Sequence, residues 1–382
     1  MLTAVTERFY CALDGGGEAR AIALDISKAF DKVWHAGLLH KLASYGVSGK
    51  VFEIIKSFLS NRFIKVILEG QHSSLFPVTS GVPQGSILSH VLFLIYINDL
   101  PDNLSSKVAL FADDSTLYSC LDKKSSLFDR LEQAADPESD LTSVIDWGSQ
   151  WLVNFNSKKT QLLTANNYRN MVNIPILMNG NPLTESSSLC LLGLLLTTDL
   201  SWKPYIQSIA KLASAKVASF YRACHFLTSN SILYLYKSLI LPCIEYCCHI
   251  WAGSSNDSLS LLDKVQKRIV NVVGPGLSAK LEPLSHRRKV ASLSLFYKYY
   301  HGHCSKELSS LVPSTKIHSL FTRYSAKSHS FTVSVPACSK NFYSSSFFLR
   351  TSIIRKFLPY SCFPDSYNLQ LFKSSVNRFL AL

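Results

Sequence analysis

Phe111-Ala112-Asp113-Asp114 is the stretch of sequence that decides the fold. It places two adjacent carboxylates between two β-forming runs, 107–112 and 115–120, and this pattern predicts a β-hairpin with the acids at its tip. Like charges a few ångströms apart repel each other unless a cation lies between them, so a divalent metal ion is the ligand that the pair suggests. Asp is also common in turns, and a solvated turn tip is the alternative interpretation.

A third acid, Asp25, follows the short apolar run 19–24, which predicts a buried strand. If the hairpin pairs beside this strand, Asp25, Asp113 and Asp114 lie at one edge of an antiparallel sheet. Carboxylates shared in this way can hold two cations about 4 Å apart, which is what two-metal phosphoryl transfer requires. Hard oxygen ligands favour Mg²⁺ or Mn²⁺ over zinc.

Hydrophobic periodicity and turn residues predict the remaining elements. Between the first strand and the hairpin we expect helices running from Phe30 to Gly46, over 48–59 and over 87–100, strands at 62–69 and 75–78, and a loop at 80–86. The helix over 87–100 is apolar on all sides, so we expect it in the middle of a domain. After the hairpin we expect an acidic helix over 125–150, strands at 161–165 and 189–196, and helices over 205–227, 231–251 and 257–273.

Charge is distributed unevenly along the 382 residues. Residues 1–200 carry 16 Lys and Arg against 20 Asp and Glu, whereas residues 201–382 carry 23 against 6, giving net charges of −4 and +17. A half this one-sided predicts a polyanionic partner, with nucleic acid as the leading candidate. An anionic membrane is the alternative, but no basic amphipathic helix stands out. We expect no signal peptide, transmembrane segment or membrane partner, and therefore an intracellular protein in the nucleus or cytoplasm.

The ten cysteines are scattered and form no Cys-x-x-Cys pair. A metal site at Cys243, Cys247, Cys248 and His249 is one interpretation, but their spacing matches no zinc template. We therefore interpret the cysteines as small buried core residues of a protein in a reducing compartment.

Five ordered motifs resemble those of reverse transcriptases from non-LTR (LINE-type) retrotransposons, and the jockey-type elements are the most similar. Residues 23–35, ALDISKAFDKVWH, resemble the first palm motif, and residues 80–89, SGVPQGSILS, resemble the template-grip motif with its usual continuation YINDLP at 96–101. Phe111-Ala112-Asp113-Asp114 is similar to the catalytic turn, and residues 156–160, NSKKT, to the motif that supplies a lysine. Leu192-Gly193 with residues 200–202 resembles the primer-grip segment, and residues 241–246 with 265–268 resemble the thumb.

The resemblance implies a role for each matching residue. Asp25 and Asp113 would bridge the metal ions and Asp114 would complete the acidic set, with the Ile26 carbonyl as a further ligand. Phe30 would stack under the incoming sugar, or else be a core residue. Gln84 would touch the nucleotide or the template backbone, while Pro83 and Gly85 would shape the loop for close approach. Lys159 would protonate the pyrophosphate leaving group or offset its charge, or else be a solvated lysine. The thumb residues expected along the duplex phosphates are Lys211, Lys216, Lys264, Lys267 and Arg268.

The implied fold class is α+β: a polymerase palm, which is an antiparallel sheet backed by helices with partial fingers, then a helical thumb and a basic C-terminal region. The expected domains are the palm at 1–203, the thumb at 204–276 and the C-terminal region at 277–382. The implied activity is RNA-directed DNA polymerisation with Mg²⁺ or Mn²⁺, an RNA template, a DNA primer and deoxynucleoside triphosphates.

The sequence departs from the family at several points. Only 24 residues precede Asp25, so we expect a chain truncated at its N-terminus, with incomplete fingers and no endonuclease domain. His90 stands where the family usually has Pro, and Arg355-Lys356 stand where it usually has Trp-Asn. Two alternatives to an active polymerase therefore remain open: an inactive remnant that binds RNA or an RNA/DNA hybrid, and an unstable fragment.

Overall fold

The structure is a computed structural model, and it describes residues 1–121, 127–166, 176–178, 180–223, 225–314, 331–339 and 343–381. For residues 127–136 and 275 it describes the backbone without the side chains. The start expected for the acidic helix at residue 125, the tenth cysteine, Cys224, and part of the basic C-terminal region lie outside the described residues.

The described residues contain both strands and helices. The strands are β1 Glu18–Leu24, β2 Arg62–Ile64, β3 Ile67–Leu68, β4 Gln71–His72, β5 Phe76–Val78, β6 Lys107–Phe111, β7 Asp114–Leu121, β8 Gln161–Asn166, β9 Leu177–Met178, β10 Asn181–Pro182, β11 Thr184–Glu185, β12 Ser188–Leu191 and β13 Leu194–Thr197. The α-helices are α1 Leu2–Asp14, α2 His35–Ser44, α3 Gly49–Leu59, α4 Ile87–Ile97, α5 Leu127–Gln150, α6 Lys203–Ala223, α7 Ser229–Leu235, α8 Leu241–Glu245, α9 Cys248–Trp251, α10 Asn256–Val273, α11 Pro275–Ser278, α12 Leu284–Tyr300, α13 Lys306–Leu311, α14 Phe347–Arg355 and α15 Leu369–Ala381. A π-helix, Tyr236–Ile240, joins α7 to α8, and 3₁₀ turns occur at Leu100–Asn103, Tyr343–Ser345 and Tyr360–Cys362.

The chain divides into two compact units. The first comprises Met1 with residues 19–164 and 168–189, and the second comprises residues 2–18, 165–167 and 190–382, each as far as it is described. The three-domain division expected from the sequence stays a prediction. Among the described residues, none of the helices combines the length and the apolar character needed to cross a bilayer.

A five-stranded sheet in the order β11-β8-β1-β7-β6 organises the first unit. The strand expected at 19–24 and the hairpin at 107–120 are both confirmed. β1 is nearly all buried, as its small and apolar residues require of a central strand, and β6 pairs with β7 in antiparallel register. β11, however, runs parallel to β8, so the sheet is mixed rather than wholly antiparallel.

The core of the first unit lies between this sheet and its helices. Ile22 and Leu24 of β1 belong to the same buried cluster as Leu92, Phe93 and Tyr96 of α4, together with residues of α2 and α5. Burying such side chains stabilises the fold by roughly 1.5–3 kcal/mol each. The helix expected from Phe30 begins only at His35, and the strand expected at 62–69 is split into the short strands β2 and β3.

The expectation that the apolar helix over 87–100 is surrounded by protein is wrong for α4. Leu92, Phe93 and Tyr96 are buried, but Ile87 is 88% exposed, and Val91 and Leu94 on the same side are about half exposed. Composition reports which residues could be buried, whereas the neighbouring elements decide which of them are.

The second unit is mainly helical. α6 packs along α10, α12 packs along α15, and α1 packs against α13 and α14. The strand expected at 189–196 is instead a hairpin, β12 and β13, because the chain turns at Leu192-Gly193, where both φ angles are positive. The single helix expected over 231–251 is broken into α7, the π-helix, α8 and α9.

The prediction that the cysteines are buried is wrong for most of those that the structure describes. Cys248 and Cys362 are buried, and Cys247 and Cys304 are partly exposed. Five of the described cysteines are exposed: Cys11, Cys120, Cys190, Cys243 and Cys338.

Candidate active site

Three acidic residues lie at the same end of two neighbouring strands in the first unit. Asp25 follows the last residue of β1, and β1 lies directly beside β7, whose first residue is Asp114. Asp114 pairs with Phe111 across the hairpin, which leaves Ala112 and Asp113 as the two residues of the turn. Ala112 adopts φ 52°, a left-handed conformation that costs an L-residue about 1–2 kcal/mol, so the acids are presented by a strained tip.

The electrostatics of Asp114 show that the acids influence each other. Its pKa is raised above the ordinary value, first by burial and then by the charges of Asp113 and Asp25. A cation between these groups would remove that repulsion, and an all-oxygen set is the kind of ligand that Mg²⁺ or Mn²⁺ prefers.

The side chains as they stand do not form a closed metal site. Among the described residues, no three His, Cys, Asp or Glu side chains lie close enough together to hold a metal ion. This includes the three acids, and it includes Cys243, Cys247, Cys248 and His249. The donor chemistry and the charge of the acidic set thus fit a hard divalent cation, although the side chains are not drawn together around one.

Lys159 is brought to the same edge by the segment that follows α5. Asn156 N–H donates to the Asp25 carbonyl at 2.8 Å, and Ile26 forms an antiparallel bridge with Phe155. The Asn156 carbonyl then accepts hydrogen bonds from Lys159 N–H and Thr160 N–H, which closes a tight turn. The Lys159 ammonium consequently lies 3.9 Å from the Asp25 carboxylate, with 68% of its side chain exposed.

The loop over 80–86 is fastened to the segment between β1 and α2. Gly81 N–H donates to the Val33 carbonyl and Val82 N–H to the Phe30 carbonyl, each at 2.8 Å. A Cβ on Gly81 would lie 2.6 Å from the Asp31 carbonyl oxygen, so only glycine permits this approach. His35 Nε2 donates to the Gly81 carbonyl at 2.8 Å.

Gln84 extends this attachment through its side chain. Its Nε2 donates a 2.8 Å hydrogen bond to Asp31 Oδ1. Gly85, next to it, has φ 92°, and no atom lies within 4 Å of the place where its Cβ would be. The backbone at Gly85 is therefore open to the approach of another molecule, as the template-grip resemblance implies.

Phe30 is half-buried against the core of the first unit. Its ring stacks on Phe93 at 4.7 Å and meets His90 edge-on at 5.3 Å, both on α4. These contacts support the interpretation as a core residue, while the partly exposed ring leaves room for a stacking role. The role of Phe30 stays a prediction.

The hairpin is held by an acid that the sequence analysis missed. Asp140 of α5 is 2% exposed, and its two carboxylate oxygens accept hydrogen bonds from Ser105 N–H at 2.8 Å and Ser106 N–H at 2.7 Å. These amides come directly before β6, so Asp140 fixes the base of the strand that leads to the acidic turn. No local pattern signals this role, since a lone Asp in an acidic helix is usually solvated.

A buried lysine supports the same region. Lys41 of α2 donates to the Tyr96 carbonyl at 2.6 Å and pairs with Asp99, and its ammonium lies 3.8 Å from the centre of the Trp151 ring. Trp147 Nε1 also donates to Asp99 at 3.1 Å. Burial lowers the Lys41 pKa, and the Asp99 contact opposes that shift. Asp99 belongs to the 96–101 motif, and in the structure that motif ties α2 to α4 and α5.

The predicted nucleic-acid-binding residues lie on two packed helices of the second unit. Lys264, Lys267 and Arg268 occupy positions i, i+3 and i+4 of α10, so they share its exposed face. Lys211 is exposed on α6, whereas the Lys216 ammonium contacts the Leu239 carbonyl at 3.2 Å and Cys243 Sγ at 3.4 Å. The first four are exposed, with the Arg268 guanidinium 5.9 Å from the centre of the Tyr221 ring, and Lys216 joins α6 to the π-helix and to α8.

Comparison with known proteins agrees with this architecture. A family model described as "Reverse transcriptase (RNA-dependent DNA polymerase)" matches residues 6–196. The chain is 28% identical over 279 residues to a probable RNA-directed DNA polymerase from transposon X-element of Drosophila melanogaster, covering 70% of this chain and 30% of that protein. It is 28% identical over 256 residues to the RNA-directed DNA polymerase from mobile element jockey of the same organism, covering 64% and 27%.

A structure of telomerase from Candida albicans, in complex with a fragment of telomeric RNA, aligns with a TM-score of 0.33 at 12% identity. That alignment covers 80% of this chain and 53% of the telomerase chain. The chain spans about 30% of the length of the curated relatives it matches. The match over residues 6–196 nevertheless confirms the resemblance found in the motifs, and the chain belongs to the reverse transcriptase family.

Proposed function

We propose that this chain is a polymerase domain that synthesises DNA on an RNA template. One observation carries the proposal: Asp25 at the end of β1 and Asp113-Asp114 at the tip of the adjacent hairpin come to one sheet edge, with Lys159 beside Asp25. Acids on neighbouring strands, with a cationic side chain next to them, are the arrangement that nucleotidyl transfer requires.

Asp25, Asp113 and Asp114 would hold the divalent ions, Mg²⁺ or Mn²⁺, and the Ile26 carbonyl would be a further ligand. Bound there, the ions would activate the attacking oxygen of the primer and stabilise the pyrophosphate leaving group. The raised pKa of Asp114 supports this assignment, because a bound cation would offset both of its causes, burial first and then the charges of Asp113 and Asp25.

The other residues at this edge would bind and orient the nucleotide. Lys159 lies within 3.9 Å of Asp25, where its ammonium can offset the charge of the leaving pyrophosphate or donate a proton to it. Gln84 and Gly85 would contact the nucleotide or the template backbone from the fastened loop, and Phe30 would lie under the sugar.

In the second unit, the exposed cations of α6 and α10 would lie along the phosphates of the template–primer duplex. Such contacts give affinity without reading sequence, and their strength falls steeply with salt. The partners are thus an RNA template, a DNA primer and deoxynucleoside triphosphates, and we expect the chain to act inside the cell, without a membrane partner.

The test is primer extension by the purified full chain on an RNA template with a DNA primer, in Mg²⁺ and in Mn²⁺. We expect extension by the parent protein, loss of at least about 100-fold in Asp113→Asn, and near-normal activity in Asp146→Asn, a matched change on the exposed side of α5. An inactive parent protein would contradict the proposal. If the inactive parent still binds duplex with a steep salt dependence, unchanged in Asp113→Asn, then the chain is a binding protein rather than a polymerase.

A further inference from the structure

The helical run from α7 to α9 contains a break that no pattern in its sequence predicts. The π-helix Tyr236–Ile240 leads into α8, which ends at Glu245. Tyr246 then adopts φ −56° and ψ 125°, and Cys247 adopts φ 49° and ψ 28°, before α9 begins at Cys248. A left-handed non-glycine residue costs about 1–2 kcal/mol, and π-helical turns are frequent at functional sites. Such an outlier persists when the surrounding structure holds it in place.

The break fixes the position of the Tyr246 main chain. Trp251 is fully buried, and its Nε1 donates a 2.9 Å hydrogen bond to the Tyr246 carbonyl. On the other side, the Glu245 carboxylate accepts two hydrogen bonds from the Arg287 guanidinium. Bidentate pairs of this kind are the strong, orientationally specific ones. The main chain at Tyr246 is therefore held through its own carbonyl, by Trp251, and through the preceding residue, Glu245, by Arg287.

The side chain of Tyr246 reaches the tip of the β12–β13 hairpin. Its hydroxyl donates a 2.8 Å hydrogen bond to the Leu192 carbonyl, and its Cε1 atom lies 3.9 Å from the place where a Cβ of Gly193 would be. The residues joined in this way are 54 positions apart in the chain.

The turn at the tip needs such support. Leu192 has φ 48° and Gly193 has φ 79°, which is the two-residue turn with both central residues left-handed. Gly and Asn suit that conformation, but leucine does not, because its Cβ crowds the following carbonyl. The hydrogen bond from Tyr246 is accepted by Leu192, the strained residue. It therefore stabilises the turn at the position whose side chain suits the turn least.

We infer that Tyr246 is a positioning residue, which sets the β12–β13 turn so that this hairpin can hold the DNA primer. The inference rests on the proposed polymerase function, because Leu192-Gly193 belongs to the segment that resembles the primer grip. Tyr246 would act through the turn: its hydroxyl holds the turn in place, and the turn would contact the primer strand.

The test is Tyr246→Phe in the full chain, which removes the hydroxyl and keeps the ring. We expect the KM for the template–primer duplex to rise about 3- to 10-fold, the range that one lost hydrogen bond allows, with kcat and the KM for nucleotide unchanged. Amide hydrogen exchange at 188–197 should become faster, while the melting temperature stays within about 1 °C. Tyr234→Phe is the matched control, since Tyr234 lies in the same helical run and is 72% exposed.

Repeating Tyr246→Phe in a Leu192→Gly background tests whether Tyr246 acts by supporting the strained turn. Leu192→Gly removes the left-handed strain, so the turn should no longer depend on Tyr246, and Tyr246→Phe should then have a smaller effect on exchange and on KM. Unchanged exchange at 188–197 in Tyr246→Phe, or equal effects in both backgrounds, would overturn the inference.

A parent protein that extends no primer would contradict the polymerase proposal alone. In that case, exchange at 188–197 and fluorescence anisotropy with a labelled RNA/DNA duplex still decide the role of Tyr246. Faster exchange together with weaker duplex binding in Tyr246→Phe supports a positioning role, and an unchanged pair of readouts overturns it.

Discussion

Gln84 Nε2 donates a 2.8 Å hydrogen bond to Asp31 Oδ1, and this contact joins the loop after β5 to the segment after β1. The same two segments are joined through the backbone of Gly81 and Val82 and through the side chain of His35. These contacts hold together two sequence motifs whose joined residues, Asp31 and Gln84, are 53 positions apart.

The first prediction concerns the hydrogen bond between Gln84 and Asp31. Asp31→Ala removes the acceptor for Gln84 and should raise the KM for nucleotide about 5-fold, which corresponds to about 1 kcal/mol. In a Gln84→Ala background the same change should have little further effect, because the shared contact is already lost. Steady-state kinetics of the two single variants and the double variant check this, with Glu53→Ala, an exposed site on α3, as the control. Fully additive effects would show that the contact is irrelevant to nucleotide binding.

Local sequence patterns predicted the central strand and the acidic hairpin well. β1 is a continuous apolar run, and the hairpin is two β-forming runs around a turn. Residues adjacent in the sequence therefore determine both elements. Local patterns failed where the turn residue was unusual. Leu192 in a left-handed turn looks like the middle of a strand, and nothing at Tyr246-Cys247 marks a helix end, since neither residue is Gly or Pro.

The contacts that position the candidate site could not be predicted for a different reason. Lys41 and Asp140 find their hydrogen-bond partners 34 to 58 residues away along the chain, and each is an ordinary polar residue of a helix in its local context. The burial of a charge depends on which elements surround it, and hydrophobic periodicity does not report those neighbours. The roles of Asp25, Asp113 and Asp114, by contrast, were suggested by motifs that match a family residue by residue.

The second prediction concerns the buried ammonium of Lys41. Lys41→Met keeps the length of the side chain but leaves the Asp99 carboxylate without its cationic partner, so we expect a loss of about 3–5 kcal/mol in unfolding free energy. Urea unfolding followed by tryptophan fluorescence is a suitable measurement, because the rings of Trp147 and Trp151 lie against the ammonium. Lys56→Met on the exposed side of α3 should cost far less. Equal losses in the two variants would mean that Lys41 contributes nothing specific.

The third prediction follows from the repulsion at the acidic turn. Because the pKa of Asp114 is raised by burial and by Asp113 and Asp25, Asp114→Asn removes an unfavourable charge in the absence of metal. The melting temperature should rise by about 1–2 °C. Added Mn²⁺ should then raise the melting temperature of the parent protein and leave that of Asp114→Asn nearly unchanged. Differential scanning fluorimetry with and without MnCl₂ checks both effects, and an equal Mn²⁺ response in both proteins would place the metal elsewhere.

The last prediction concerns Glu7 of α1, which is 2% exposed and accepts a hydrogen bond from Phe348 N–H at 3.0 Å. Burial outweighs that bond and raises the Glu7 pKa from 4.5 to about 7. The folded protein therefore binds more protons than the unfolded chain between these values, and stability should fall as pH rises from about 4.5 to about 7. Glu7→Gln stays neutral and keeps an acceptor, so its advantage over the parent in unfolding free energy, measured by urea unfolding, should grow across that window by up to about 3 kcal/mol. Glu307→Gln, at the half-exposed pair with Arg8, is the control. An offset for Glu7→Gln that is the same at pH 5 and pH 8 would show that Glu7 does not titrate in this range.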